Sequence, residues 1–124
     1  MISYLYGIAR AILGLGPRPE PMPMDEPKPG ISWEVFFHYA EEQCHLYGVC
    51  FVWRTAEGEL LALHTPDVTV QRVGAGPVTG YRVRGVGSNG EPVHVRMQAG
   101  EVLAVRLGDD VLAKVRHWAR GQAQ

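Results

Sequence analysis

Cysteine, lysine and long apolar runs are all scarce in this chain, and each shortage removes a class of protein. Two cysteines, Cys44 and Cys50, in 124 residues cannot build the disulfide framework of a small secreted scaffold. Both read as small buried hydrophobes, consistent with a reducing compartment. The longest apolar stretch, residues 1–15, is broken by Arg10 and falls short of the roughly 20 residues that span a bilayer. It has no basic start and no small-residue cleavage site, so neither a secretory signal nor a membrane anchor is expected. The net charge of −1 gives no global attraction to nucleic acid or to a membrane surface. Lys28 and Lys114 are the only lysines among twelve basic residues, and the other ten are arginine. Arginine suits planar, bidentate pairing at interfaces.

What is present fits one domain, long enough to bury about two-thirds of its unfolded surface. Four segments are expected. Residues 1–16 carry Ile2, Leu5, Tyr6, Ala9, Ile12 and Leu13 at helical spacing, which predicts an amphipathic helix ended by Gly14, Gly16 and Pro17. Residues 17–30 hold six of the nine prolines, which excludes helix and predicts an extended, semi-rigid linker. Residues 31–108 form the core: a helix, then antiparallel strands. Ser32 caps this helix, Glu34 sits at its positive end, and Gly48 is placed as its left-handed terminator. Val35, Phe36, Tyr39, Ala40, Gln43, Leu46 and Tyr47 are its expected apolar stripe, widened by Trp33 and Phe37.

Beyond Gly48 the period falls to two. VCFVWRT and ELLALHT flank the hairpin loop AEG. Thr65, Pro66 and Asp67 turn the chain into VTVQRV. GYRVRGV and EPVHVRM flank GSNG, a second hairpin, and GEVLAVRLG gives a last short strand. Residues 109–124 predict a third helix, started by Asp109 or Asp110. The fold class is therefore α+β: an amphipathic helix, a Pro-rich linker, a helix, an antiparallel meander of five to six short strands, and a C-terminal helix.

The chemistry-bearing residues form no recognised constellation. His38, His45, His64, His94 and His117, taken with the two cysteines, match no zinc-ligand spacing. Cys44 precedes His45 directly, but adjacent helix residues point apart, which argues against a nucleophile and base. The adjacent carboxylates Glu41–Glu42 and Asp109–Asp110 read as solvated helix ends. GAGPVTG and GVGSNG lack the GK[ST] ending and the strand-to-helix context of a phosphate loop. No catalytic, cofactor-binding or metal-ligating residue is assigned. Two candidate surfaces remain. Leu5, Ile12, Trp33, Phe37 and Trp118 are candidate contacts with other chains, because so much apolar and tryptophan surface in a small domain favours assembly. Arg72, Arg82, Arg84 and Arg96 alternate with apolar residues and are candidate nucleic-acid contacts on a wet sheet face.

From Ser32 to Arg106 the order of motifs resembles the portal protein of tailed bacteriophages, of the long-tailed type. That family has a helix with a Thr/Ser-x-x-Phe-like start and a Leu-x-x-Gly-Asn-Ala-Tyr-like exit. SWEVF and LYGVCFVW stand in those places here. The family's charged residue, glycine turn, Leu-x-x-Leu strand and Pro-x-x-Val-x-Val step correspond to RTAEGELLALHTPDVTVQRV. Its Tyr-containing strand and closing acidic-Val-Leu-His-Val-Arg step correspond to GYRVRGV and GEVLAVR. Val49 stands where the family has Asn, and Ala104 where it has His. The N-terminal YLYGIARAILGL resembles the family's helix before a variable linker. The long tunnel helices, the clip and the crown of those longer chains have no counterpart after Gln124.

The resemblance thus implies the outer body, or wing, of a portal-like subunit, in a short or fragment form. It further implies a non-enzymatic structural protein of a virion or prophage, located in the particle or in the bacterial host cytoplasm. Such a head–tail connector forms a ring at the capsid vertex for DNA packaging and ejection. Its expected partners are further copies, other capsid, scaffold or connector proteins, and DNA that passes through without sequence-specific binding. No cofactor is implied. The alternative expectation is a small sheet-based nucleic-acid-binding module.

Overall fold

The computed structural model describes residues 24–122. The expected N-terminal helix lies outside them, and so do Leu5 and Ile12. Two helices and six antiparallel strands follow one another: α1 (Trp33–Tyr47), β1 (Val49–Arg54), β2 (Leu60–Ala62), β3 (Val68–Arg72), β4 (Val78–Val86), β5 (Pro92–Gln98), β6 (Val102–Arg106) and α2 (Val111–Gln122). The α+β class and the helix–meander–helix order hold. The strands divide into two sheets of three, ordered β2-β1-β6 and β3-β4-β5. The second sheet is thus a hairpin excursion between β2 and β6, and the chain returns from it to pair β6 with β1 from Val49↔Arg106 to Trp53↔Val102.

The α1 signals act as the sequence implies. Ser32 Oγ accepts from the Val35 amide at 3.2 Å, satisfying a donor that has no partner within the helix. Gly48 adopts φ 81°, and its N–H donates to Cys44 O at 2.8 Å. A left-handed residue that ends a helix and steps straight into a strand favours glycine, since a Cβ there costs about 1–2 kcal/mol. Asp110 caps α2 by accepting from the Ala113 amide at 3.1 Å.

Burial resolves three layers. One core joins Phe36, Phe37, Ala40 and Cys44 of α1 and Val111, Val115 and Ala119 of α2 to Cys50, Val52, Leu60 and Val105 of the first sheet. A second joins Phe51 and Val102, on the opposite face of that sheet, to Tyr81 and Met97 of the second sheet. The first sheet is therefore covered on both sides. That is why VCFVW reads as an apolar run and not as an alternation. Each fully buried Val, Leu or Phe there contributes about 1.5–3 kcal/mol of transfer free energy.

Two expectations are corrected by these contacts. The buried stripe of α1 is Phe36, Phe37, Ala40, Gln43 and Cys44. Val35, Leu46 and Tyr47 are exposed, because the sheet meets the helix about a fifth of a turn away from the face expected. Residues 24–30 pack against the body and do not act as a spacer. Pro27 is fully buried, and its carbonyl accepts from the Leu60 amide at 2.7 Å. The Trp33 indole donates to Met24 O at 2.9 Å.

Candidate interaction surface

Alternation from Tyr81 to Gly85 of β4 and from Val93 to Met97 of β5 sends the valines one way and the arginines the other. The register then puts like with like: Val83 faces Val95 and Tyr81 faces Met97, while Arg82 faces Arg96 and Arg84 faces His94. The structure thus brings Arg82, Arg84 and Arg96 together on one exposed face, as the sequence suggests. His94 joins them, as its alternation with Val93 and Val95 beside Arg96 implies, and the register sets it opposite Arg84. Like charges directly across a strand pair destabilise it, by roughly 0.2–1 kcal/mol.

Arg72 does not belong to this group. Alternation along β3 places it with Val68 and Val70, and the register shift at Gln71/Arg72 pairs it with the core-facing Val78. Its guanidinium donates to Gly76 O at 3.1 Å and so closes the β3–β4 loop. Burial pushes the Tyr81 hydroxyl above its ordinary range, and nearby Arg72 partly offsets this.

Arg84 is held by Asp67. Its Nε and Nη2 donate to Asp67 Oδ1 at 3.3 and 3.0 Å, while His64 Nδ1 lies 3.0 Å from Oδ2. The His64 hydrogen bond, followed by that of Arg84, lowers the Asp67 carboxyl below its usual range. The corner carrying Asp67 is fixed from behind. The Thr65 amide donates to Gln43 Oε1 at 2.8 Å, and Thr65 Oγ1 donates to Val49 O at 3.0 Å. Gln43 is 3% exposed, so this bond ties the corner to α1 through the interior. Pro66, Asp67, Thr69, Arg82, Arg84 and His94 frame a shallow concavity of about 350 Å³. Among the described residues, neither Arg82 nor Arg96 has an acidic partner.

The tryptophan-rich candidate contacts fare differently. Phe37 is 5% exposed and lies in the core, so it is no interface residue of the folded subunit. Trp33 stacks on Phe37 and meets Phe36 edge-on, and Trp118 packs against the same cluster from α2. These large side chains close the helix layer. The apolar groups that do reach water include Val35, Leu46, Tyr47 and Leu107. Two further arginines went unnoticed in the sequence. Arg54 and Arg116 each bury a guanidinium nitrogen that has no hydrogen-bond partner among the described residues.

The geometry also bears on catalysis. Cys44 Sγ donates to Val105 O at 3.3 Å, and both thiols are buried. Burial, and then the Cys44 thiol, push the Cys50 thiol well above its ordinary range, the reverse of what a nucleophile needs. Among the described residues no group of three or more His, Cys, Asp or Glu side chains is arranged to hold a metal ion. Nor, among them, is any helix long and apolar enough to cross a membrane. Compared with known families and characterised proteins, the chain matches no family model and no curated sequence.

Proposed function

We propose that this chain is a portal-like structural subunit of a phage or prophage particle, acting through contacts with other copies and with capsid or connector proteins rather than through catalysis. The observation that carries the reading is the spatial order of the motifs. A capped helix ends on left-handed Gly48 and enters β1 at once. The Thr65–Asp67 turn then leads into a three-stranded excursion, and GEVLAVR returns to pair beside β1. The portal resemblance rests on this same order of steps. In this reading the protein is a wing-like body at the capsid vertex, and DNA passes through the assembly without being read. Light scattering over a wide concentration range tests it, together with negative-stain imaging. Ring-like oligomers, or binding to capsid or connector proteins, support it. A strictly monomeric species that binds none of them overturns it.

A second reading is favoured by one specific observation, the opposed Arg82–Arg96 and Arg84–His94 pairs. Four groups able to carry positive charge on one open face suit an anion, and a nucleic-acid-binding module is the alternative. DNA binding that weakens steeply with salt, and is lost in Arg82→Ala with Arg84→Ala, would establish it.

A further inference from the structure

Two surfaces of the molecule, the outer sheet face and the side formed by α1 with the β6–α2 loop, carry opposite charge, while α2 itself is basic through Lys114, Arg116 and Arg120. Between Val68 and Gln98 the second sheet holds Arg72, Arg82, Arg84 and Arg96 against the single acid Glu91. α1 holds Glu34, Glu41 and Glu42 and contains no lysine or arginine. A groove of about 580 Å³ runs between α1 and the β6–α2 loop, where Glu41, Asp109 and Asp110 outnumber Arg106, with His45 and Leu107 beside them. Like charges crowd on this side as well. Burial pushes the Glu41 carboxyl up, His45 partly offsets that, and Asp110 adds to it. The basic face has the mirror-image problem in Arg82 and Arg96.

We infer that a second copy of this chain docks its Arg82–Arg84–Arg96 sheet face into the acidic groove of α1 and the β6–α2 loop, head to tail. Each surface adds countercharge to an excess on the other that Lys114, 3.9 Å from Asp109, and Asp67, 3.0 Å from Arg84, offset only in part. Exposed Leu46 and Leu107 offer apolar contact on the acidic side. DNA is the less suitable occupant of the basic face. That face carries no Phe, Tyr or Trp on which bases would stack, only the smaller ring of His94. It also offers three arginines and one histidine, with Arg84 already held by Asp67, whereas strongly salt-dependent DNA binders make about 6–10 phosphate contacts. The two docking surfaces differ, so each bound copy leaves one of each kind open. Association therefore propagates, to a closed ring or to a filament. The inference rests on the assembly reading above and names the surfaces it would use.

Charge reversal on the full chain tests it. Arg82→Glu with Arg96→Glu reverses one surface, and Glu41→Lys with Asp109→Lys reverses the other. Circular dichroism confirms that both variants are folded. Light scattering should show salt-sensitive self-association of the unmodified chain. Each variant alone should need a roughly hundredfold higher concentration to associate. Mixing the two variants should restore growth, as an alternating assembly, because each variant then offers countercharge to both surfaces of the other. Arg82→Gln with Arg96→Gln, which removes charge without reversing it, should give an intermediate loss. Self-association unchanged in either reversed variant would overturn the inference and leave the assembly reading standing. The same holds if mixing fails to restore pairing. A chain that stays monomeric at every concentration overturns the inference, and it overturns the assembly reading too if capsid and connector proteins are not bound either. Binding of duplex DNA that Arg82→Glu with Arg96→Glu abolishes, without self-association, hands the face to the nucleic-acid reading.

Discussion

The helix-backed sheet and the outer sheet are built from similar residues and live in different environments. β1 has three consecutive buried residues, Cys50, Phe51 and Val52, because helices cover one face and the second sheet covers the other. β5 buries only Met97 of its seven residues. The first region is positioned by packing from both sides. The second is held mainly by its own hairpin pairing and by the Phe51–Tyr81–Met97–Val102 contact. Its outward face is thus free of packing demands, and an unneutralised arginine pair can persist there. Stability belongs mainly to the first region, and the open arginine face to the second.

Truncation separates the two most strongly. Leu60 is 1% exposed and lies in the core between helices and sheet. Leu60→Ala should lower unfolding stability by about 2–5 kcal/mol, with an unchanged denaturant slope. Val95 is 43% exposed on the outer sheet. Val95→Ala should cost under about 1 kcal/mol, in the range of substitutions away from a packed core. Equal costs in urea titrations would erase the distinction between the layers.

The next largest effect lies at the tie between them. Gln43 presents the acceptor for the Thr65 amide inside the protein. Gln43→Leu keeps the volume and removes that acceptor, leaving a buried donor unmet at a cost of about 1–3 kcal/mol. Amide exchange should accelerate at Thr65 and through the β3–β4 pairing more than in α1. Uniform acceleration would mean that Gln43 serves only the helix layer.

Much of this arrangement is legible in the sequence, and what is not has physical causes. Ser32, Gly48, Asn89 and Asp110 act locally, through a cap, a left-handed step or a turn, so their neighbours suffice to read them. The Arg82 and Arg84 face follows from period two alone. The buried side of α1 was misplaced because Val35, Leu46 and Tyr47 are as apolar as the residues that are buried, and only the tertiary partner chooses the face. Period two also assigns Arg72 to the valine side once its strand is taken as Val68–Arg72. The opposed Arg82–Arg96 pair and the Gln43–Thr65 bond depend on register and on long-range docking. Composition and spacing do not encode those.

A smaller effect, opposite in sign, sharpens the same contrast. If the Arg82–Arg96 opposition is unrelieved in the isolated subunit, removing one charge should help. Arg96→Thr exchanges a repelled cation for a good strand former on an exposed face. It should raise stability by roughly 0.2–1 kcal/mol at low salt, and less as salt screens the pair. A loss of stability would mean that the arginine stems contribute more by covering the sheet than their charges cost.

The smallest effect concerns pH and is confined to the outer sheet. The Asp67 carboxyl is lowered by His64 and then by Arg84, so the folded protein favours its ionised form. The stabilisation is therefore fully present above the unfolded carboxylate value of about 3.9, and it is lost as pH falls through the lower folded value. Acid should loosen the Pro66–Asp67 corner and the β3–β4 pairing before it reaches the helix-backed sheet. Asp67→Asn should flatten that acid limb and leave stability near neutral pH almost unchanged, since exposed pairs contribute little there. Arg84→Gln, which keeps His64 in place, should flatten it only in part. Residue-resolved exchange across the acid range checks all three proteins. An acid limb unchanged in Asp67→Asn would mean that the corner is held from behind, by Gln43 and the Thr65 hydroxyl, and that the ion pair on its surface merely follows.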